Sequence, residues 1–337
     1  MIEILKIKNF KSIKDLELRC SKINLFIGEP NAGKSNLLEA LGLLSYTAYG
    51  DKYHLKNFVR FETMNNLFFD DDVERSIEVS LQCGPEIKIL KLFLIPAGLF
   101  RGTLTYLNHA KNAKFEGKLF DCDYNAKGQF AIQPQFKPIK FYRFKKQHVF
   151  PDRFSVHLLS PNGHNLLSIL ISHKNIKNII SDFLRPFGYK LMFKPQENKI
   201  EIVKQYDDIL ISIPYALISD TFQRLIFYLT AILSNKNSIL VFEEPESHTF
   251  PYYTKFLAET IALDNKNNQF FISTHNPYFL FSVLEKSKKD DIAVFVVYME
   301  NFETKARKLT QQEIEEAMNI GLDFFFNLDR FRNKQQG

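Results

Sequence analysis

Several features that mark particular protein classes are scarce or missing in this chain. It has no tryptophan, and its three cysteines, Cys20, Cys83 and Cys122, lie far apart. They form neither a C-x-x-C metal pair nor a disulfide framework, which indicates a reducing compartment. No apolar run approaches the ~20 residues of a membrane span, and the start of the chain lacks the regions of a secretory signal. We therefore expect a cytoplasmic protein with no membrane partner.

The composition is that of a globular protein. The chain has 337 residues, of which 45% are hydrophobic and 24% charged. This length allows a sizeable core in one elaborated domain or two. The net charge of +6 permits a nucleic-acid surface without requiring one. The basic runs at residues 137–146 and 174–177 are candidate patches for nucleic acid, although such runs are more often solvated faces.

The clearest motif is a glycine-rich segment, Gly28–Ser35, which fits G-x-x-x-x-G-K-[S/T]. An apolar run, Ile23–Ile27, precedes it and a helix-forming run follows it, as expected for a loop that cradles a nucleotide triphosphate. Lys34 would neutralise the β- and γ-phosphates, and the Ser35 hydroxyl would bind Mg²⁺. The alternative is an ordinary strand–helix turn. The predicted ligands are ATP and Mg²⁺, and the candidate binding residues here are Gly28, Asn31, Ala32, Gly33, Lys34, Ser35 and Asn36.

A second motif is acidic. The apolar run at residues 238–242 reads as a buried strand and ends in Glu243 and Glu244. Adjacent buried carboxylates are costly unless they bind something. In a metal–phosphate site, Glu243 would hold Mg²⁺ and Glu244 would polarise the attacking water. The alternative is a solvated acidic loop that caps a helix opened by Pro251.

A histidine follows the next predicted strand, residues 268–272. Because ligand sites of open α/β sheets lie at the carboxyl ends of strands, His275 is a candidate to sense the γ-phosphate. An isolated histidine is more often structural. Ser219 precedes an amphipathic helix that runs to about Leu233. It is a candidate phosphate ligand, although capping of the helix alone would explain it.

The sequence predicts an α/β core that is divided in two by an inserted segment. Three strands are predicted within residues 2–27, followed by the phosphate loop and a helix to about Tyr46. Strand-like segments at 76–82, 87–95 and 139–144 follow, then a helix at about 165–184 and strands at 189–194, 199–205 and 209–213. The boundaries predicted are an ATPase core at 1–48 and 140–337, with a helical subdomain at about 160–235, and an inserted β-rich lobe at 49–139.

The order of these motifs resembles the ABC-type ATPase superfamily, in particular its RecF, SMC and OLD-like branch. The resemblance covers about residues 1–48 and 210–300. It rests on four segments: Lys8–Ile13 (KNFKSI), Glu243–Pro251 (EEPESHTFP), Ser273–Pro277 (STHNP), and Ile218–Arg224, which falls where the family's signature helix begins. It implies an α/β P-loop NTPase fold: an ABC-type ATPase head with a mixed central sheet, helices on both faces and an inserted antiparallel β lobe.

The resemblance also implies a mechanism. Two copies would sandwich two ATP molecules head to tail, and Ser219 of one copy would reach the γ-phosphate bound to the other. Lys11, in the opening turn, would help to hold phosphates. The chain departs from the family pattern in Asp220-Thr221, where Gly-Gly is usual, and in Glu243, where Asp is usual. Gln147 is the candidate for the family's glutamine switch.

The sequence predicts neither a long coiled coil nor an acidic nuclease domain after His275. We therefore expect a compact ATPase, like those of bacterial antiphage defence, that controls a separate effector such as a nuclease or toxin. The alternative is a RecF-like clamp that binds DNA in repair. A transporter ATPase subunit fits less well, because of the predicted β insertion and the Glu-Glu-Pro-Glu extension.

Overall fold

The structure is a computed structural model that describes residues 1–50, 52–130, 136 and 138–331. Lys137, within one predicted basic run, lies outside the described residues. The strands are β1 Ile4–Phe10, β2 Ile13–Arg19, β3 Ile23–Ile27, β4 Ile77–Cys83, β5 Glu86–Leu94, β6 Phe100–Asn108, β7 Ala113–Cys122, β8 Gly128–Phe130, β9 Ile139–Tyr142, β10 Tyr189–Lys194, β11 Lys199–Tyr206, β12 Ile209–Pro214, β13 Ile239–Glu243, β14 Gln269–Ser273, β15 Ile292–Glu300 and β16 Glu303–Lys308. The helices are α1 Lys34–Tyr49, α2 Leu166–Ser172, α3 Lys174–Leu184, α4 Asp220–Ser234, α5 Pro251–Ala262, α6 Pro277–Lys286 and α7 Gln311–Ile320.

A mixed six-stranded sheet forms the centre of the fold, in the order β16-β15-β3-β14-β13-β9. Its strands pair in parallel except β16, which is antiparallel to β15. Every residue of β3 and β14 is buried, which explains their continuous apolar runs. Because β3, β13 and β14 are parallel neighbours, the motifs that follow them meet at one edge of the sheet.

The two faces of this sheet are covered differently. Phe26 stacks between Phe271 and Phe295 on one face, which packs against α1 and a second sheet. The opposite face packs against α2–α6 through residues such as Leu25 and Ile272. The predicted α/β fold, with a mixed central sheet and helices on both faces, is confirmed.

The second sheet is antiparallel and has seven strands, in the order β2-β1-β4-β5-β6-β7-β8. It contains the strands of the predicted β-rich lobe, but β4 pairs directly with β1, with Leu5 opposite Leu81. The segment therefore extends the N-terminal hairpin instead of forming a sheet of its own. The domain boundaries at residues 49 and 139 stay a prediction.

The helical subdomain also differs in detail from the prediction. The helix expected at about 165–184 is divided into α2 and α3 at His173, whose φ of −109° and ψ of 89° are not helical. The three strands predicted at 189–194, 199–205 and 209–213 are present as β10, β11 and β12, and the structure pairs them antiparallel in one sheet. No helix among the described residues is both long and apolar enough to cross a membrane.

Candidate nucleotide-binding site

The phosphate loop joins β3 to α1 and leans on the β15–β16 hairpin. Gly33 has a φ of 94°, and a Cβ there would lie 1.9 Å from Thr304 Oγ1. A Cβ on Gly28 would lie 2.1 Å from the Val297 carbonyl oxygen. Thr304 Oγ1 also donates to the Ala32 carbonyl oxygen at 3.2 Å. Glycine is thus required at both positions, because neither the backbone angle nor the space admits a side chain.

Lys34 is folded into this loop. Its Nζ donates to the carbonyl oxygens of Gly28 at 2.9 Å and Glu29 at 2.7 Å, and only 5% of the residue is exposed. Burial lowers the pKa of Lys34 to about 8, against the opposing charges of Glu244, Glu243 and Glu29. The ammonium therefore lies among loop carbonyls, where a phosphate would give it a better partner.

The acidic motif lies at the predicted strand end. Glu243 is the last residue of β13, and Glu244 has a φ of 44°. His275, just beyond β14, places Nε2 3.0 Å from Glu244 Oε1. This hydrogen bond lowers the pKa of the Glu244 carboxyl, so the group is charged at neutral pH.

These groups surround one cavity of about 870 Å³. Its lining includes eight of the predicted residues: Asn31, Gly33, Lys34, Ser35, Asn36, Glu243, Glu244 and His275. Gly28 and Ala32 are not in the lining because they pack against the hairpin behind the loop. The Ser35 hydroxyl and Glu243 carboxylate are hard oxygen donors in the same cavity, a donor set that suits Mg²⁺ completed by phosphate and water.

Lys11 does not lie in this cavity, contrary to its predicted contact with phosphates. Its Nζ pairs with the Glu39 carboxylate and donates to the Arg60 carbonyl oxygen at 2.5 Å. Its side chain is 12% exposed, and Glu39 is fully buried. The ammonium is therefore already held by α1, which does not support a role in binding phosphate.

Ser219 also lies outside the cavity lining. It caps α4 as predicted, accepting from the Phe222 backbone N–H at 3.3 Å, and it is exposed. Asp220 pairs with Arg224, four residues along the helix, at 2.6 Å. The Thr221 hydroxyl donates to the His248 carbonyl oxygen at 2.6 Å, which connects this helix start to the loop after Glu244.

Gln147 is turned away from the cavity, contrary to the suggested glutamine switch. Its Nε2 donates to the Asn162 carbonyl oxygen, and its Oε1 is buried without a hydrogen-bond partner in the described part of the chain. Arg143, immediately after β9, lines the cavity instead. Lys140 is buried in β9, so the basic run at 137–146 is not one continuous surface patch.

Glu246 is a site residue that the sequence analysis missed. It is 4% exposed, and its Oε1 accepts from Thr274 Oγ1, which ties the acidic loop to the histidine loop. Its Oε2 has no hydrogen-bond partner among the described residues. Burial raises the pKa of Glu246 to about 7. Because Glu246 lies within an acidic run, its burial could not be predicted from the sequence.

A comparison with protein families matches the middle of the chain. Residues 133–280 match the family described as "AAA domain, putative AbiEii toxin, Type IV TA system". The chain is similar to AAA-type ATPases. The matched segment contains Ser219, Glu243, Glu244 and His275, whereas the phosphate loop precedes it. Family model, fold and phosphate loop agree on an ATP-hydrolysing enzyme, as predicted; the specific OLD-like branch stays a prediction.

Individual relatives are distant. A Helicobacter pylori (strain ATCC 700392 / 26695) protein named "ATP/GTP phosphatase" is 22% identical over 342 aligned positions, spanning 87% of this chain and 90% of that protein. Among solved structures, an SMC head bound to the C-winged helix domain of ScpA has a TM-score of 0.52 at 16% identity, covering 94% of this chain and 99% of the other. A Pyrococcus furiosus Smc head with an extended coiled coil, bound to the C-terminal domain of ScpA, has a TM-score of 0.51 at 14% identity, covering 98% and 99%. These structures share the fold of this chain.

Proposed function

We propose that this protein is an ATP-driven switch that dimerises head to tail around ATP and Mg²⁺ and controls a separate effector protein. The observation that carries the proposal is the convergence of Lys34, Glu243, Glu244 and His275 on one cavity. The phosphatase name of the Helicobacter pylori relative supports nucleotide hydrolysis. We infer a cytoplasmic location, because the three cysteines are free.

In this proposal each part of the cavity has one task. The backbone N–H groups from Asn31 to Asn36 and the Lys34 ammonium bind the phosphates. Mg²⁺, held by Ser35 and Glu243, would neutralise charge on the β- and γ-phosphates. Glu244 accepts a proton from the attacking water. His275 holds Glu244 in position and contacts the γ-phosphate.

The proposed dimer rests on the position of Ser219 relative to the cavity. Ser219 is exposed and does not line the cavity of its own chain. A helix start with free N–H groups attracts a phosphate, so a second copy turned head to tail would close the open side of the cavity with its own α4. Hydrolysis would then remove the γ-phosphate that holds the two copies together.

The effector and its setting are inferred from the comparisons and the resemblance. The matched family's description names a toxin and a toxin–antitoxin system, which supports control of a nuclease or toxin in bacterial antiphage defence. The fold shared with SMC heads favours a second candidate, a RecF-like clamp with nucleic acid as its partner. The two differ in whether DNA stimulates hydrolysis.

The test is phosphate release from ATP with Mg²⁺, with and without double-stranded DNA, at several salt concentrations. The switch predicts hydrolysis that DNA leaves unchanged; the clamp predicts stimulation that falls as salt rises. Lys34→Ala should abolish nucleotide binding and hydrolysis. Wild-type protein that binds no ATP, or a Lys34→Ala variant with unchanged ATP affinity, would overturn the proposed function.

A further inference from the structure

A fully buried carboxylate at the edge of the cavity gathers three cations. Glu39, on α1, is 0% exposed. Its Oε1 lies 2.7 Å from Arg60 Nε and 3.0 Å from Arg143 Nη2, and its Oε2 pairs with Lys11. One carboxylate balances one of these charges. A buried carboxylate is stable only when it is paired with a cation, and this one has three cationic partners.

The two arginines make a second contact inside the cavity. Arg60 Nη2 lies 3.1 Å from Glu243 Oε1, and Arg143 Nη2 lies 3.7 Å from Glu243 Oε2. Three cations and two carboxylates leave this cluster with one unbalanced positive charge. Both arginines line the cavity, so the excess charge faces the space that the phosphates would occupy.

Arg143 is the more firmly fixed of the two. Its side chain is 24% exposed, against 56% for Arg60. Its backbone N–H donates to the Pro161 carbonyl oxygen at 3.0 Å, and its carbonyl oxygen accepts from Asn162 Nδ2 at 2.7 Å. The guanidinium lies over the Phe141 ring, 5.1 Å from its centroid. A guanidinium held in this way loses little conformational entropy when it binds an anion.

We propose that Arg143 binds the γ-phosphate of the nucleotide held by its own subunit, and that Glu39 positions it. In the structure, the guanidinium shares Glu243 with Arg60, at 3.7 Å from Oε2. If Glu243 held Mg²⁺, its carboxylate would no longer pair with the guanidinium, which would keep its contact with Glu39 and direct its remaining N–H groups to phosphate oxygens. The planar fork of arginine suits such oxygens. Arg143 thus occupies the place after β9 that the sequence suggested for Gln147. This inference rests on the proposed function.

The test compares affinities for a non-hydrolysable ATP analogue and for ADP, both with Mg²⁺, by titration calorimetry. A charge-assisted hydrogen bond of about 1.5–3 kcal/mol corresponds to roughly 10- to 100-fold in affinity. Arg143→Ala should therefore weaken the affinity for the ATP analogue about 10-fold or more, and the affinity for ADP by less than about twofold. Arg143→Gln, closer in shape, should behave alike, and thermal unfolding identifies a variant that fails to fold.

Two further variants test whether Arg143 acts by binding phosphate or only by stabilising the fold. Glu39→Gln should reduce the preference for the ATP analogue over ADP, and adding Arg143→Ala should reduce it little more, because both changes remove the same contact. Arg101→Ala is the matched control: it breaks a two-bond pair with Asp121, 2.8 and 3.0 Å long, in the antiparallel sheet. It should leave both affinities unchanged.

The outcomes distinguish the two levels of the proposal. If wild type binds both nucleotides and Arg143→Ala and Arg143→Gln keep its preference for the ATP analogue, the inference fails while the proposed function stands. An equal loss of both affinities would make Arg143 structural and also overturn the inference. If wild type binds neither nucleotide, the proposed function fails and the inference fails with it.

Discussion

His275 Nε2 lies 3.0 Å from Glu244 Oε1, between the ends of two neighbouring parallel strands. Both side chains are partly exposed to the cavity, at 38% and 37%. The histidine lowers the pKa of the carboxyl and fixes its direction. A charged carboxylate held in one orientation beside a phosphate site can accept a proton from water, which is the step the proposed switch requires.

The contact of Gly33 with Thr304 predicts a steric cost at the phosphate loop. Gly33→Ala places a Cβ 1.9 Å from Thr304 Oγ1 at a φ of 94°. We expect the free energy of unfolding to fall by about 2–4 kcal/mol, from backbone strain and overpacking together. Denaturant unfolding measures it. Gly98→Ala is the control, since its φ is 74° and nothing lies within 4 Å of the added Cβ. If Gly33→Ala lowers the free energy of unfolding no more than the control does, the close packing of Gly33 against Thr304 is contradicted.

Glu246 predicts a pH dependence of stability. Burial raises its pKa from 4.5 to about 7, so the folded chain holds a proton that the unfolded chain releases. This group therefore contributes most below pH 4.5, and its contribution is lost between about pH 4.5 and 7, by roughly 3 kcal/mol. Glu246→Gln, which stays neutral, should lack this loss.

Unfolding measured in urea from pH 4.5 to 8 checks this prediction. The wild-type curve should fall relative to the Glu246→Gln curve up to about pH 7 and then run parallel to it. Glu315→Gln, at a side chain that is 55% exposed, serves as the control. Parallel curves for wild type and Glu246→Gln over the whole range would refute a buried, protonated Glu246.

Ser219 has two proposed roles that one substitution separates. Aspartate caps helices about as well as serine, so Ser219→Asp should change the free energy of unfolding by less than about 0.5 kcal/mol. The added charge would, however, repel a phosphate presented by a second copy. We expect this variant to lose ATP-dependent dimerisation in size-exclusion chromatography. If the variant dimerises as the wild type does, Ser219 acts only as a helix cap.

The parts of the site that follow directly after a strand or before a helix were predictable from the sequence. Gly33, Glu243 and His275 have local signals: a spaced glycine motif, or a polar residue directly after an apolar run. The parallel pairing of β3, β14 and β13 then places these ends together. Local pattern and tertiary position agree here because the strands are buried on both faces.

The charge cluster around Glu39 was not predictable in this way. Its members come from the β1–β2 turn, α1, the loop containing Arg60 and the end of β9. No periodicity relates such distant segments. The pairing of Lys11 with Glu39 could not be predicted, because Glu39 reads from the sequence as one polar residue in a helix.

The antiparallel sheet shows a second limit. Strand β7 is mostly exposed over its first half, with the pattern AKFEGKLFDC, so the alternation that marks a half-buried strand is absent. Its place in the sheet comes from pairing with β6 from Ala113 to Cys122, with one register shift. The division at His173, whose Nε2 lies 2.7 Å from the Ser155 carbonyl oxygen, likewise has no proline or glycine to mark it.

The most direct test of the proposed switch is sedimentation of Glu244→Gln with ATP and Mg²⁺. The substitution removes the carboxylate that activates water but keeps the shape of the side chain, so ATP should stay bound and hold two copies together. The control combines Glu244→Gln with Lys34→Ala, which should sediment as a monomer because it binds no ATP. We predict a dimer for Glu244→Gln with ATP and Mg²⁺ and a monomer without ATP. A monomer under both conditions would contradict the head-to-tail switch.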